Sequence, residues 1–196
     1  MSLMAQEYMK THHSETLVTA ISSSPSLEKV VAQYGGKVYW TKVGSVLVSR
    51  AMLDNDYKLG GEENGGIMYG PFLAARDGCM ALALMLNYMA TRKKPLSELI
   101  AEQPHLFKDK DKTPCPNEFK EEALKKLATQ VDAPEINTMD GVKLVYGDGS
   151  WVLFRPSGTE PIFRIYAESV SPERVKQLIM DHKALVKKVV DELSAA

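Results

Sequence analysis

The chain has 196 residues, 44% of them apolar and 25% charged, with 24 Lys+Arg against 25 Asp+Glu and a formal net charge of −1. That length supports one or two domains of ordinary size with a substantial core. The charge balance excludes a strongly basic nucleic-acid binder, and the apolar content excludes an acidic disordered chain. Two cysteines, Cys79 and Cys115, cannot build a disulfide framework or a four-cysteine zinc site, which points to reduced thiols in a cytoplasmic protein. No apolar run reaches the ~20 residues needed to cross a bilayer, so neither a membrane nor nucleic acid is an expected partner.

Leu3 to Met9 reads as the tail of a helix, and the β-branched run Thr16–Ile21 as a buried strand. Ser24 and Pro25 open a helix whose apolar positions Leu27, Val30, Val31 and Tyr34 recur every three or four residues, until Gly35-Gly36 stops it. Lys37–Thr41 is a second strand, Gly44–Leu53 a second helix and Tyr57–Gly60 a third strand. Asp77 caps the next helix, about Gly78 to Thr91, which is apolar nearly all round and is expected to lie buried. Strand–helix repetition of this kind predicts an α/β layer.

From Pro104 to Asn117 the prolines and mixed charges, Lys108-Asp109-Lys110-Asp111-Lys112 among them, read as an interdomain linker. Beyond it, Asn117 caps an amphipathic helix ending near Thr129. Val142–Tyr146 and Trp151–Phe154 then flank the hairpin signal Gly147-Asp148-Gly149-Ser150. Ile162–Ala167 is a further strand, and Ser171-Pro172-Glu173 opens a last helix striped with apolar residues on one side, His182 lying on the stripe. The expected architecture is a mixed-sheet α/β/α domain over residues 1–110 and a linker at 111–116. A smaller α+β domain follows at 117–196, an antiparallel sheet with helices on one face.

Four segments carry chemistry. Arg155-Pro156-Ser157-Gly158-Thr159-Glu160 places a guanidinium, two hydroxyls and a glycine in a tight inter-strand loop, with Arg164 on the strand that leaves it. A planar fork of donors beside a close-approaching backbone suits a phosphate monoester. The same residue types also make an ordinary turn, and by themselves they do not choose between the two. Gly61-Glu62-Glu63-Asn64-Gly65-Gly66 offers carboxylate and amide oxygens to sugar hydroxyls but repels a phosphate; alone, it reads as a solvated turn. Arg76-Asp77-Gly78 and Val43-Gly44-Ser45 stand at helix starts, where N–H groups point outward. His12-His13 has no third ligand at metal-site spacing.

In this order the four segments resemble the third and fourth domains of the α-D-phosphohexomutase family, whose phosphate loop is similar to Arg155–Pro161 followed by Arg164-Ile165-Tyr166. The resemblance implies an isomerase that moves a phosphoryl group between the 1- and 6-positions of a hexose. It works through a phosphoserine enzyme with Mg²⁺, and hexose 1,6-bisphosphate is intermediate and activator. It implies that Glu62 and Asn64 hold the sugar hydroxyls, that Gly44 belongs to the substrate-binding site, and that Arg155, Ser157, Gly158 and Thr159 hold the phosphate that is not being transferred, with Arg164 as support. Nothing here resembles the family's active-site serine segment or its Asp-rich metal loop: Ser22-Ser23-Ser24 is a strand end, and Asp54-Asn55-Asp56 lacks the glycines. The expectation is therefore a C-terminal fragment of a phosphomannomutase or phosphoglucomutase, holding neither a catalytic residue nor a metal ligand. Its expected partners are a phosphorylated hexose and the N-terminal domains that would precede residue 1. The alternatives are a phosphoglucosamine mutase and a stand-alone phosphosugar-binding module.

Overall fold

The structure is a computed structural model that describes residues 1–195. The chain divides into two compact units, the first Met1–Pro104 and the second beginning at His105.

The first unit contains α1 (Ser2–Met9), β1 (Thr16–Ala20), α2 (Ser26–Ala32), β2 (Lys37–Thr41), α3 (Ser45–Asp54), β3 (Leu59–Gly61), β4 (Ile67–Tyr69), α4 (Gly78–Arg92) and α5 (Leu96–Ala101). Its sheet runs β2-β1-β3-β4, with β1 parallel to both neighbours and β4 antiparallel to β3. Successive side chains of a strand point to opposite faces, so Leu17 enters the cluster of α1 and α2 while Val18 meets Val48 and Met52 of α3. Helices therefore cover both faces of a mixed sheet. Burying one such aliphatic side chain is worth about 1.5–3 kcal/mol. The helix expected to be capped by Ser24 has Pro25 at its N-cap and no side-chain cap; Ser24 Oγ instead accepts from the Ser26 N–H at 3.1 Å in the turn that leads into it.

Helix α4 corrects an expectation. It starts as predicted, with Asp77 accepting from the Met80 N–H at 2.6 Å, but none of its residues is buried. Only the stripe of Ala81, Leu84, Met85 and Tyr88 packs on the cluster built by α1, α2 and β1, leaving Leu82 and Leu86 60% and 55% exposed. The helix lies on the outside of the layer, so one side of it reaches the core.

The second unit contains β5 (Phe107–Pro114), a 3-10 turn (Asn117–Phe119), α6 (Lys120–Thr129), β6 (Glu135–Asn137), β7 (Val142–Val145), β8 (Trp151–Pro156), β9 (Ile162–Ser169) and α7 (Pro172–Ser194). All pairs of its sheet, β5-β9-β8-β7-β6, are antiparallel. The inward residues of β7, β8 and β9, among them Val142, Leu144, Val152, Phe154, Phe163 and Ile165, pack on α6 and α7. The apolar stripe of α7 is buried along its length, from Val175 to Leu193. His182 is buried on that stripe, its Nδ1–H donating to the Leu178 carbonyl at 2.8 Å, and its ring stacks on Phe154.

The expected linker at 111–116 is also corrected. Phe107–Pro114 pairs along its full length with β9, so most of the segment read as linker is the edge strand of the second sheet. An edge strand tolerates charge on its open side and a proline at its end, features that also blunt strand-to-strand aggregation. The helix expected to start at Asn117 opens through the 3-10 turn and carries no side-chain cap.

Candidate functional site

In the first unit, Ser22, Gly44 and Glu62 follow the carboxyl ends of the parallel strands β1, β2 and β3. Strands β2 and β3 flank β1 on opposite sides, which makes the end of β1 the point where the winding of the sheet reverses. Open α/β sheets bind ligands in the crevice outside that point. Two of the sequence-predicted residues meet there: the Gly44 N–H donates to Glu62 Oε1 at 3.1 Å. Gly44 has φ +143, a backbone conformation that glycine adopts without strain, and this turns its N–H toward the carboxylate.

Residues 62–66 close the β3–β4 hairpin. The Glu62 N–H donates to the Gly66 carbonyl at 3.3 Å and the Gly65 N–H to the Glu62 carbonyl at 3.2 Å. Asn64 Oδ1 accepts from the Gly66 N–H at 3.1 Å, so its carbonyl oxygen shapes the loop while its amide N–H₂ faces outward. Ser22 Oγ donates to Glu63 Oε2 at 2.6 Å and Thr19 Oγ1 to the Gly61 carbonyl at 2.8 Å, which anchors the loop to β1. The side chain of Arg76 lies against Gly66. Glu62 is only 3% exposed, and burial pushes its carboxyl above the ordinary carboxylate range. The Glu63 charge adds to that rise, while the Gly44 N–H and Arg76 oppose it. The loop thus presents one buried carboxylate acceptor, Glu62, beside the exposed Glu63 and Asn64, a set suited to hydroxyl donors. A groove of about 590 Å³ runs along α3, lined by Ser45, Ser49, Arg50 and Arg76, and its volume lies within the range of small-molecule sites.

In the second unit, Arg155 ends β8 and Arg164 stands directly opposite it on β9. Like charges facing across a strand pair are destabilising unless something neutralises them. Here Asp140 holds Arg155 at 3.1 Å and Glu160 holds Arg164 at 2.5 Å. Asp140 reaches its partner because Gly141, at φ +100, lets the chain pass so close to Arg155 that a side chain at 141 would collide with it. The Nε of Arg155 is buried without a hydrogen-bond partner. Ser157 Oγ accepts from the N–H groups of Thr159 and Glu160 at 3.4 and 3.3 Å, folding the loop into a compact turn. Open space surrounds the position a Gly158 side chain would take, so a ligand can approach the backbone there.

Lys120, not singled out in the sequence, donates from Nζ to the carbonyls of Ser157 and Glu160, both at 2.6 Å. Its place was a signal of a kind: a cation at the start of α6 opposes the helix dipole, and the two loop carbonyls offset that cost. Lys120 thus draws off the carbonyls of Ser157 and Glu160, which leaves the Gly158 N–H and the guanidiniums facing an approaching anion. Among the described residues no three His, Cys, Asp or Glu side chains are arranged to hold a metal ion, and no helix is long and apolar enough to cross a membrane.

Residues 1–107 match the model of the phosphoglucomutase/phosphomannomutase alpha/beta/alpha domain III, and residues 112–185 match the C-terminal domain of the same family. A phosphoglucomutase/phosphomannomutase of Thermococcus kodakarensis is 38% identical over 91% of this chain and 39% of its own length. A phosphoglucosamine/phosphogalactosamine mutase of Sulfurisphaera tokodaii is 39% identical over 87% of this chain and 38% of its own length. The crystal structure of a phosphoglucomutase/phosphomannomutase family protein from Burkholderia thailandensis shares the fold, with a TM-score of 0.77 at 23% identity over 96% of this chain and 41% of that one. The chain thus spans about two fifths of the length of each of these relatives. Two successive domain models, matched in order across nearly all of its residues, show that the chain belongs to the phosphoglucomutase/phosphomannomutase family.

Proposed function

We propose that the chain is the sugar- and phosphate-recognising part of a phosphohexomutase that interconverts hexose 1-phosphate and hexose 6-phosphate. The observation that carries this reading is the facing pair Arg155 and Arg164 beside a loop whose carbonyls are held away by Lys120. Such a loop binds a phosphate monoester through charge-assisted hydrogen bonds. Glu62, Asn64 and Gly44 meet the sugar: the Glu62 carboxylate accepts from hydroxyls while its burial keeps water from competing.

An enzyme that acts on both ends of one sugar needs a site for the phosphate it leaves in place and a separate site for hydroxyls. The two loops supply that division of labour. In this reading the phosphoserine segment, Mg²⁺ and the activating hexose 1,6-bisphosphate belong to the transfer machinery, and we assign none of its residues to this chain. The expected behaviour of the chain alone is recognition without turnover. A second reading, an amino-hexose phosphate as the substrate, is favoured by the phosphoglucosamine/phosphogalactosamine relative. Comparing glucosamine 6-phosphate with glucose and mannose phosphates separates the two.

Arg155→Ala removes the guanidinium and leaves Asp140 facing the loop. It should weaken binding of glucose 6-phosphate by about 1.5–3 kcal/mol, the scale of a hydrogen bond to a charged group. Calorimetric titration of both proteins checks this, and equal affinities would exclude the loop from the site.

A further inference from the structure

The phosphate loop is backed by the segment that joins β5 to α6. The Cys115 N–H donates to the Pro161 carbonyl at 2.9 Å, and Lys120 Nζ donates to the carbonyls of Ser157 and Glu160. Ser157 and Glu160 flank Gly158 and Thr159, so the ammonium spans the part of the loop where open space adjoins the backbone.

Charge at the loop divides unevenly. Arg155 is paired with Asp140 and Arg164 with Glu160, and each pair sums to zero. The two loop groups that hold the Lys120 ammonium are neutral carbonyls, which leave its charge uncancelled. The acidic side chains near it in sequence, Glu118, Glu121 and Glu122, are all exposed, where water and salt screen them. Lys120 is itself half-buried, and Ser157 against it is 2% exposed. Its field therefore reaches the loop through less water than that of a surface lysine.

Holding two carbonyls in place needs donors but no charge, and a side-chain amide has two. Charge at this place is also unfavourable for α6, because a cation at a helix start opposes the helix dipole. A purely structural role accounts for the two hydrogen bonds and leaves the cation unexplained.

We infer that Lys120 is a specificity-determining residue of the loop, supplying the uncancelled charge that selects a doubly charged phosphate ester over a singly charged one. It acts through the loop: the two carbonyls turn toward the ammonium and away from the ligand, and its field extends to the open side at Gly158. This inference rests on the loop being the phosphate site of the proposed function.

The test compares glucose 6-phosphate with glucose 6-sulfate, which offer the same sugar and nearly the same tetrahedral group. At about pH 7.5 the phosphate ester is mostly a dianion, its second pKa being about 6, and the sulfate ester is a monoanion. Calorimetric titration of the full chain gives the ratio of the two affinities. That ratio should fall about tenfold in both Lys120→Gln and Lys120→Met, and Lys120→Arg should hold it within about twofold of the wild type. Lys120→Gln keeps amide donors for the carbonyls and so isolates the charge. Urea midpoints report the folding of each variant separately, and if Lys120→Met unfolds, Lys120→Gln and Lys120→Arg decide.

A Lys120→Gln variant that keeps the wild-type ratio overturns the inference, whether it binds both esters normally or weakens both alike. Failure of the loop itself shows differently: the wild-type chain binds neither ester, or Arg155→Ala leaves both affinities unchanged, and the reading of the loop then falls together with the inference.

Discussion

Glu62 is a buried carboxylate that accepts from the backbone N–H of Gly44 and whose neighbours include a second carboxylate. Its pKa in the folded chain lies above its unfolded value, chiefly through burial. The fold then binds the proton more tightly than the unfolded chain does. Stability falls as pH rises through the carboxylate range, and the loss is complete above the folded pKa. Glu62→Gln keeps an oxygen for the Gly44 N–H and removes the charge. The variant should therefore gain stability over the wild type at pH 7 and lose that advantage at pH 4, as read from urea midpoints at the two pH values. An equal difference at both would show that burial of this charge costs nothing. Arg155, Ser157, Gly158, Thr159 and Glu62 stand out as candidates in the sequence because each lies in a short run of unusual residues. Lys120 and Asp140 do not: Lys120 joins the loop from 37 and 40 residues away, through contacts that only the fold creates.

At the scale of elements, periodicity read α7 and the parallel strands well, because each buries one defined side. It failed where burial and composition part company. Helix α4 is apolar nearly all round, yet composition does not say how many sides a neighbour covers, and here one is covered. Strand β5 has the opposite property: alternating charges resemble a linker, but an edge strand needs only the backbone of β9 to pair with. Strands β4 and β6, three residues each, are too short to carry a pattern. The exposure of α4 has a measurable consequence. Leu82→Ala should change stability by no more than about 0.5 kcal/mol, as surface substitutions do. Leu27→Ala, from the buried side of α2, should cost about 2–5 kcal/mol. Urea denaturation of the two variants checks this, and a Leu82 cost near that of Leu27 would place α4 in the core.

For the whole molecule, the length and the nearly balanced charge acquire a meaning that neither had alone. The 196 residues hold two compact units that match two successive domains of one family and span about two fifths of its members. The net charge of −1 hides a local imbalance, the Lys120 ammonium held by two loop carbonyls beside the ion-paired Arg155 and Arg164. Recognition of a phosphorylated sugar is the central claim, and the amides of that loop report on it directly. The decisive measurement is a ¹H–¹⁵N NMR titration of the chain with glucose 6-phosphate. The largest shifts should fall on the N–H groups of Gly158, Thr159 and Glu160 and should disappear in Arg155→Ala. Shifts confined to other residues, with those three amides unmoved at saturation, would contradict the account.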